Sequence, residues 1–130
     1  MIGIVIVAHG GLANEYLAAM EHVVGAQNGV SAITIEPDHD RAQKQREICA
    51  AADVVDQGDG VVVVTDMFGG SPSNLSLRAC APANRRILYG ANLPMLIKLA
   101  KSRHLDVADA VRAALEAGRK YIDSQNIQTG

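Results

Sequence analysis

The sequence predicts an α/β fold: a doubly wound, mainly parallel sheet of strand order 2-1-3-4, with helices on both faces. Three observations lead there. Apolar, β-branched runs recur at Ile2–Ala8, Val30–Ile35 and Gly60–Thr65, and such runs are how strands buried on both faces read. Segments of helical period separate them. Gly and Pro punctuate the boundaries, and alternating βα units imply a parallel sheet with right-handed crossovers.

The elements follow in order. Ile2 to Ala8 is the first strand. In Gly11 to Val24 the apolar residues Leu12, Tyr16, Met20 and Val23 recur at spacings of four and three, so a helix is predicted, with Gly25 as its C-cap. Val30 to Ile35 is a second strand, closed by Glu36-Pro37. Arg41 to Val55 is a helix with Ile48, Ala52 and Val55 as its inner stripe, broken at Gly58-Asp59-Gly60. Gly60 to Thr65, with its four consecutive valines, is the third strand. Ser71-Pro72 supplies an N-cap residue followed by Pro at the first helical position, and that helix ends before Pro82. Arg86 to Tyr89 is a short fourth strand. Asn92-Leu93-Pro94 opens a helix with Leu93, Leu96, Ile97 and Ala100 inward. Asp106 and Asp109 cap a last helix with inner residues Val107, Val111, Leu115 and Ile122.

Composition narrows the function. The 130 residues suit one domain, residues 1–130, without linker or repeat. A chain of this size buries about two-thirds of its unfolded surface. Twelve basic and fourteen acidic residues give a net charge of −2, and one Phe and three Tyr offer little to stack on bases, so no nucleic-acid partner is expected. Cys49 and Cys80 form no CxxC or Cys/His cluster, which fits a reducing, cytoplasmic setting. The apolar start is too short for a signal core or a membrane span, so no direct membrane insertion is expected.

In a sheet of order 2-1-3-4, strands 1 and 3 meet at the switch point, and ligands bind beyond their carboxyl ends. The first strand runs into His9-Gly10-Gly11 and the third into Asp66-Met67-Phe68-Gly69-Gly70-Ser71-Pro72. His9 and Asp66 then project from neighbouring strands at one edge. A carboxylate accepting one imidazole N–H fixes the tautomer and leaves the other nitrogen a free lone pair. Gly10, Gly69, Gly70 and Ser71 bring bare backbone to a helix start, where N–H groups favour a phosphate. A lone histidine at a strand end is more often a cap than a nucleophile; four features meeting at one edge favour function.

Other candidates are weaker. His22 reads as a helix-surface residue and His104 as a solvated connection. Asp38-His39-Asp40 precedes a helix, where acids complement the dipole, and offers no third or fourth ligand, so no metal is expected. Cys49 and Cys80 read as core residues. Arg85-Arg86 reads as a solvated pair at the end opposite the site. No GxxxxGK[ST] is present, so an ATP-binding P-loop is excluded. Ala8, Gly10 and Ala13 with Glu36 make a degenerate dinucleotide fingerprint, and a small nucleotide-binding module is the alternative from another class. His9 would crowd a pyrophosphate there.

Taken together, Ile4-Val5-Ile6-Val7-Ala8-His9-Gly10, Thr65-Asp66-Met67-Phe68-Gly69-Gly70-Ser71-Pro72-Ser73-Asn74, Gly90-Ala91-Asn92-Leu93-Pro94-Met95-Leu96 and Ala117-Gly118-Arg119 resemble the IIA domain of the mannose family of the bacterial sugar phosphotransferase system. The resemblance runs over nearly the whole chain. It implies a phosphocarrier, a phosphotransferase component with a phosphohistidine intermediate and no cofactor. His9 would accept a phosphoryl group from the phosphorylated histidine-containing carrier protein and pass it to a IIB component, Asp66 would orient His9, and Ser71 with its backbone neighbours would face the phosphoryl group. No IIB domain follows within the 130 residues, so a separate acceptor is expected. The family also implies a homodimer in which a C-terminal strand adds antiparallel to the partner's sheet, a role open to Asn126-Ile127-Gln128-Thr129. Apolar Met67, Phe68, Leu93 and Met95, with Asn92, are expected to form a partner-docking rim. A purely regulatory phosphocarrier and the phosphotransfer subunit that serves dihydroxyacetone kinase are related alternatives.

Overall fold

The computed structural model of the chain describes residues 1–67 and 69–128. Phe68 and Thr129, both singled out above, lie outside the described residues. Among the described residues, four strands, β1 (Gly3–His9), β2 (Val30–Ile35), β3 (Val61–Thr65) and β4 (Arg85–Leu88), form one parallel sheet of order β2-β1-β3-β4, as the sequence predicts. The register pairs Ile4 with Val30 and His9 with Ile35 on one side of β1, and Gly3 with Val61 and Val7 with Thr65 on the other. Among the described residues, five helices complete the fold: α1 (Leu12–Val24), α2 (Arg41–Val55), α3 (Ser71–Ser76), α4 (Leu93–Lys101) and α5 (Val107–Lys120). A 3₁₀ turn, Arg78–Cys80, follows α3. Among the described residues, no helix is long and apolar enough to cross a membrane.

The alternation of side chains along a strand divides the core in two. Ile4, Ile6 and Ala8 of β1 face α1, α4 and α5, while Val5 and Val7 face α2 and α3. All five are fully buried. Each buried Ile or Val is worth about 1.5–3 kcal/mol over leaving it in water, which is why a strand central to such a sheet carries no polar residue until it reaches the edge. That residue is His9.

α2 packs through Ile48, Ala52 and Val55, and Asp40 caps it by accepting from the Gln43 N–H at 3.0 Å. Several expectations need correction. The inner face of α1 is Ala13, Tyr16, Leu17, Met20 and Val24; Leu12 and Val23 are exposed. The apolar positions of this helix fit two stripes one residue apart, and small Ala13 lets the helix approach the sheet closely. In α4 the fully inward residues are Met95, Leu96 and Leu99, while Leu93, Ile97 and Ala100 are half-buried. Ile122 lies beyond α5 and is exposed, and Ala110, Ala114 and Gly118 take the inner face instead. Gly70, not Ser71, is the N-cap residue of α3, and Pro72 stands in its first turn.

The two arginines at β4 do not behave alike. Arg86 is exposed, but the Arg85 side chain is only 7% exposed. Its Nη2 donates to Asp53 at 2.9 Å and Asp56 at 3.0 Å, and its Nη1 to the Ala79 carbonyl at 3.0 Å. Asp53 in the last turn of α2 and Asp56 just beyond it thus neutralise a cation that the sequence suggested was solvated. Arg103, unremarked in the sequence, is 3% exposed. Its guanidinium donates to the Ile2 carbonyl, the Gln27 amide oxygen and the Gly29 carbonyl, while the Ile2 N–H donates back to the Arg103 carbonyl. This latch closes the end of the sheet remote from His9.

Candidate active site at the carboxyl edge of the sheet

His9 is the last residue of β1, and Asp66 follows the last residue of the neighbouring β3. Their side chains meet. His9 Nδ1 lies 2.7 Å from Asp66 Oδ2, and the same oxygen accepts the His9 backbone N–H at 3.1 Å. A carboxylate only accepts, so Nδ1 carries the proton and Nε2 presents its lone pair. The two environments differ sharply: the Asp66 side chain is 9% exposed and that of His9 46%. The acid is walled in and the imidazole faces outward. The other carboxylate oxygen, Oδ1, is buried with no hydrogen-bond partner among the described residues. Nearby Tyr16 donates its hydroxyl to the Ala91 carbonyl at 3.2 Å. Burial, and then the negative charge of Asp66, push that hydroxyl's pKa above its ordinary value.

The glycines at this edge have two geometric roles. Gly10 and Gly69 take positive φ, 53° and 86°, conformations that a side chain disfavours. Gly70 makes a close approach: a Cβ there would stand 3.1 Å from His9 Cε1 and 3.6 Å from Nε2. Ser71 opens α3, whose first N–H groups have no acceptor within the helix. His9, Gly10 and Ser71 share the lining of a cleft of about 400 Å³ with Glu36 and His39 from the turn after β2.

The remaining candidates fall elsewhere. Met67 is 53% exposed beside the site. Met95 is 4% exposed and packs against Gly118, so its side chain is not available to a partner, contrary to expectation. The reason is its place in the first turn of α4, where Asn92 caps the helix and turns Met95 inward. The Asn92 amide is engaged at both ends: its oxygen accepts the Met95 N–H at 3.0 Å and its nitrogen donates to the Gly118 carbonyl at 2.8 Å. Leu93 is half-buried. The Asn-Leu-Pro-Met segment therefore ties α4 to α5. Cys49 and Cys80 pack against the α2 side of the core, and burial pushes the Cys80 thiol up to about 11, which makes it a poor nucleophile. His22 and His104 are exposed and remote from the cleft. Sequence reasoning missed His39 and Tyr16 as neighbours of the site, because no motif marks a turn that folds back over a strand end.

The fold and this edge define a small doubly wound α/β domain with an imidazole–carboxylate pair at its switch point. The chain belongs to the family described as the PTS system fructose IIA component, EIIA-man, whose model matches residues 3–116. It is a IIA component of the mannose family of the phosphotransferase system. The PTS system mannose-specific EIIAB component of Escherichia coli strain K12 is 30% identical over 124 residues, which are 93% of this chain and 38% of that protein. The chain thus spans well under half the length of that relative. The crystal structure of phosphotransferase system component EIIA from Streptococcus agalactiae superposes with a TM-score of 0.80 at 27% identity, covering 95% of this chain and 97% of that one. The mannose/sorbose specific IIA subunit from Enterococcus faecalis, at 23% identity, shares the fold with a TM-score of 0.82, covering 98% and 97% of the two chains.

Proposed function

We propose that this chain is a phosphocarrier that accepts a phosphoryl group on His9 Nε2 from the phosphorylated histidine-containing carrier protein and passes it to a IIB component. The observation that carries the reading is the 2.7 Å contact between exposed His9 and buried Asp66. With Nδ1–H held on the carboxylate, the Nε2 lone pair attacks phosphorus as the donor's P–N bond breaks. The ring gains positive charge as the new P–N bond forms, and Asp66 offsets it. Backbone N–H groups around Gly69, Gly70 and Ser71, the Ser71 hydroxyl and the bare backbone at Gly10 receive the equatorial oxygens, a role that preorganised donors fill in phosphoryl transfer. Exposed Met67 supplies part of the surface on which the partner proteins dock.

The same reading takes residues 1–130 as one domain and the chain as a homodimer. β4 pairs only with β3 among the described strands, and an open sheet edge is normally covered.

The test is incubation with phosphoenolpyruvate, enzyme I and the carrier protein, followed by site mapping. One phosphoryl group is expected, acid-labile and alkali-stable, on His9. A label that persists in His9→Gln would overturn the assignment.

A further inference from the structure

We propose that His39 is a second imidazole contacting the phosphoryl group carried on His9, a reading that rests on the phosphocarrier function above. His39 stands in the turn between β2 and α2, a separate element from either half of the His9–Asp66 pair, and lines the same cleft as His9 and Ser71. Its ring is oriented by its own turn: Nδ1 contacts the Glu36 carbonyl, which also accepts the His39 backbone N–H at 3.4 Å. A carbonyl only accepts, so Nδ1 carries a proton and Nε2 is the nitrogen left for chemistry. Two imidazoles on one cleft are thus held in the same tautomer, one by a carboxylate and the other by a backbone oxygen.

Charge gives His39 its role. Apart from His9 and His39, the charged residue lining the cleft is Glu36, an anion. A phosphoryl group placed there would face that carboxylate. The other charged groups near the turn are engaged elsewhere or do not line the cleft. Asp40 caps α2 at the Gln43 N–H, Asp66 is held on His9, Lys44 of α2 pairs with Glu47 at 2.9 Å, and Asp38 and Arg41 are exposed. His39 is therefore the side chain that can meet the new anion with a cation.

The step balances simply. As the P–N bond to His9 forms and the donor's P–N bond breaks, one proton from solvent joins His39 Nε2. The imidazolium then donates Nε2–H to a phosphoryl oxygen while Nδ1–H stays on the Glu36 carbonyl. Nothing is oxidised or reduced.

Ring-nitrogen NMR of the full chain tests this, before and after phosphorylation by purified phosphorylated carrier. The spectra are taken just above neutral pH. Phosphorylation should move the His39 Nε2 signal to its protonated position and leave His22 and His104 where they were. His39→Asn keeps an amide nitrogen near the place of Nδ1, so the turn stays held, but it loses Nε2; it should slow phosphorylation about 10-fold. His39→Gln puts an amide nitrogen near the place of Nε2 and should recover part of that loss. Either an unmoved His39 signal in a chain phosphorylated on His9, or parental rates for His39→Asn, overturns this proposal alone. A parent chain that takes no phosphoryl group on His9 overturns the phosphocarrier reading and this proposal together.

Discussion

One oxygen of Asp66, Oδ2, holds His9 twice, at the ring Nδ1 and at the backbone N–H. The ring therefore cannot turn without leaving a carboxylate that also pins the strand end. Replacing Asp66 by Asn keeps the shape but lets an N–H face Nδ1, which favours the tautomer with its proton on Nε2. Loss of the orienting acid costs on the order of 10⁴ in rate in serine proteases. Here no hydroxyl proton must be removed, so Asp66→Asn should slow carrier-to-His9 transfer by about 10- to 1000-fold. Melting temperature should stay within a few degrees of the parent. Equal transfer rates would show that Asp66 is only a loop cap.

Gly70→Ala tests the close approach on the other side of the ring. The backbone at Gly70, φ −87° and ψ 177°, suits alanine, so folding should be retained. The new methyl would sit 3.1 Å from His9 Cε1 and crowd the ring edge that carries Nε2. Misplacement of a reacting atom by a fraction of an ångström is costly, and about 10-fold slower phosphorylation is expected. Stopped-flow or quenched transfer from phosphorylated carrier measures it.

Arg103→Met should lower stability without touching the site. It leaves the Ile2 carbonyl and Gln27 without the donor they share, while the Gly29 carbonyl keeps the Ile4 N–H at 3.0 Å. A buried acceptor left unpaired costs about 1–3 kcal/mol, and the Ile2 carbonyl is the buried one, so a net loss of about 1–3 kcal/mol is expected. Urea unfolding checks it, and an unchanged midpoint would show that the latch adds nothing.

Asp56 sets a pH dependence. The Gly58 N–H and then the Arg85 guanidinium hold its carboxyl below the ordinary value of 3.8. A depressed native value means that the stabilisation is present in full above pH 3.8 and is lost as pH falls through the native value. Asp56→Asn should therefore melt a few degrees below the parent at neutral pH, and the gap should close on acidification below that point. A gap independent of pH would assign the effect to packing.

The open edge of β4 leads to the expectation of a homodimer. Sedimentation at micromolar concentration should give twice the chain mass, and a monomer at that concentration would remove the dimer from the functional reading.

Much of this architecture is written locally. Four consecutive valines, the run from Ile2 to Ala8 and the stripe Ile48, Ala52, Val55 each admit one reading, and connection rules narrowed the strand order to a few choices, of which 2-1-3-4 was favoured. The meeting of His9 with Asp66 was legible for the same reason, since both end neighbouring strands. Where contacts join segments that strand order does not bring together, sequence was mute. Arg85 and Arg103 look like surface residues until Asp53, Asp56 and the Ile2 carbonyl are brought to them. Met95 and Leu12 show the opposite failure: an apolar residue on a helix gives no sign of which way the helix is turned. His39 looked like part of a charged helix start, and only the fold of the turn carries it over the cleft.

The Arg103 latch bears on how the chain is made. Its acceptors lie at residues 2, 27 and 29, and its donor is separated from Ile2 by 101 positions. During synthesis β1 and β2 leave the ribosome long before residue 103. They must wait, apolar and unlatched, with that end of the sheet open to solvent or to a chaperone. The end of the sheet farthest from His9 therefore cannot close until residue 103 has emerged, and it closes together with the packing of α5, which follows Arg103 in the chain.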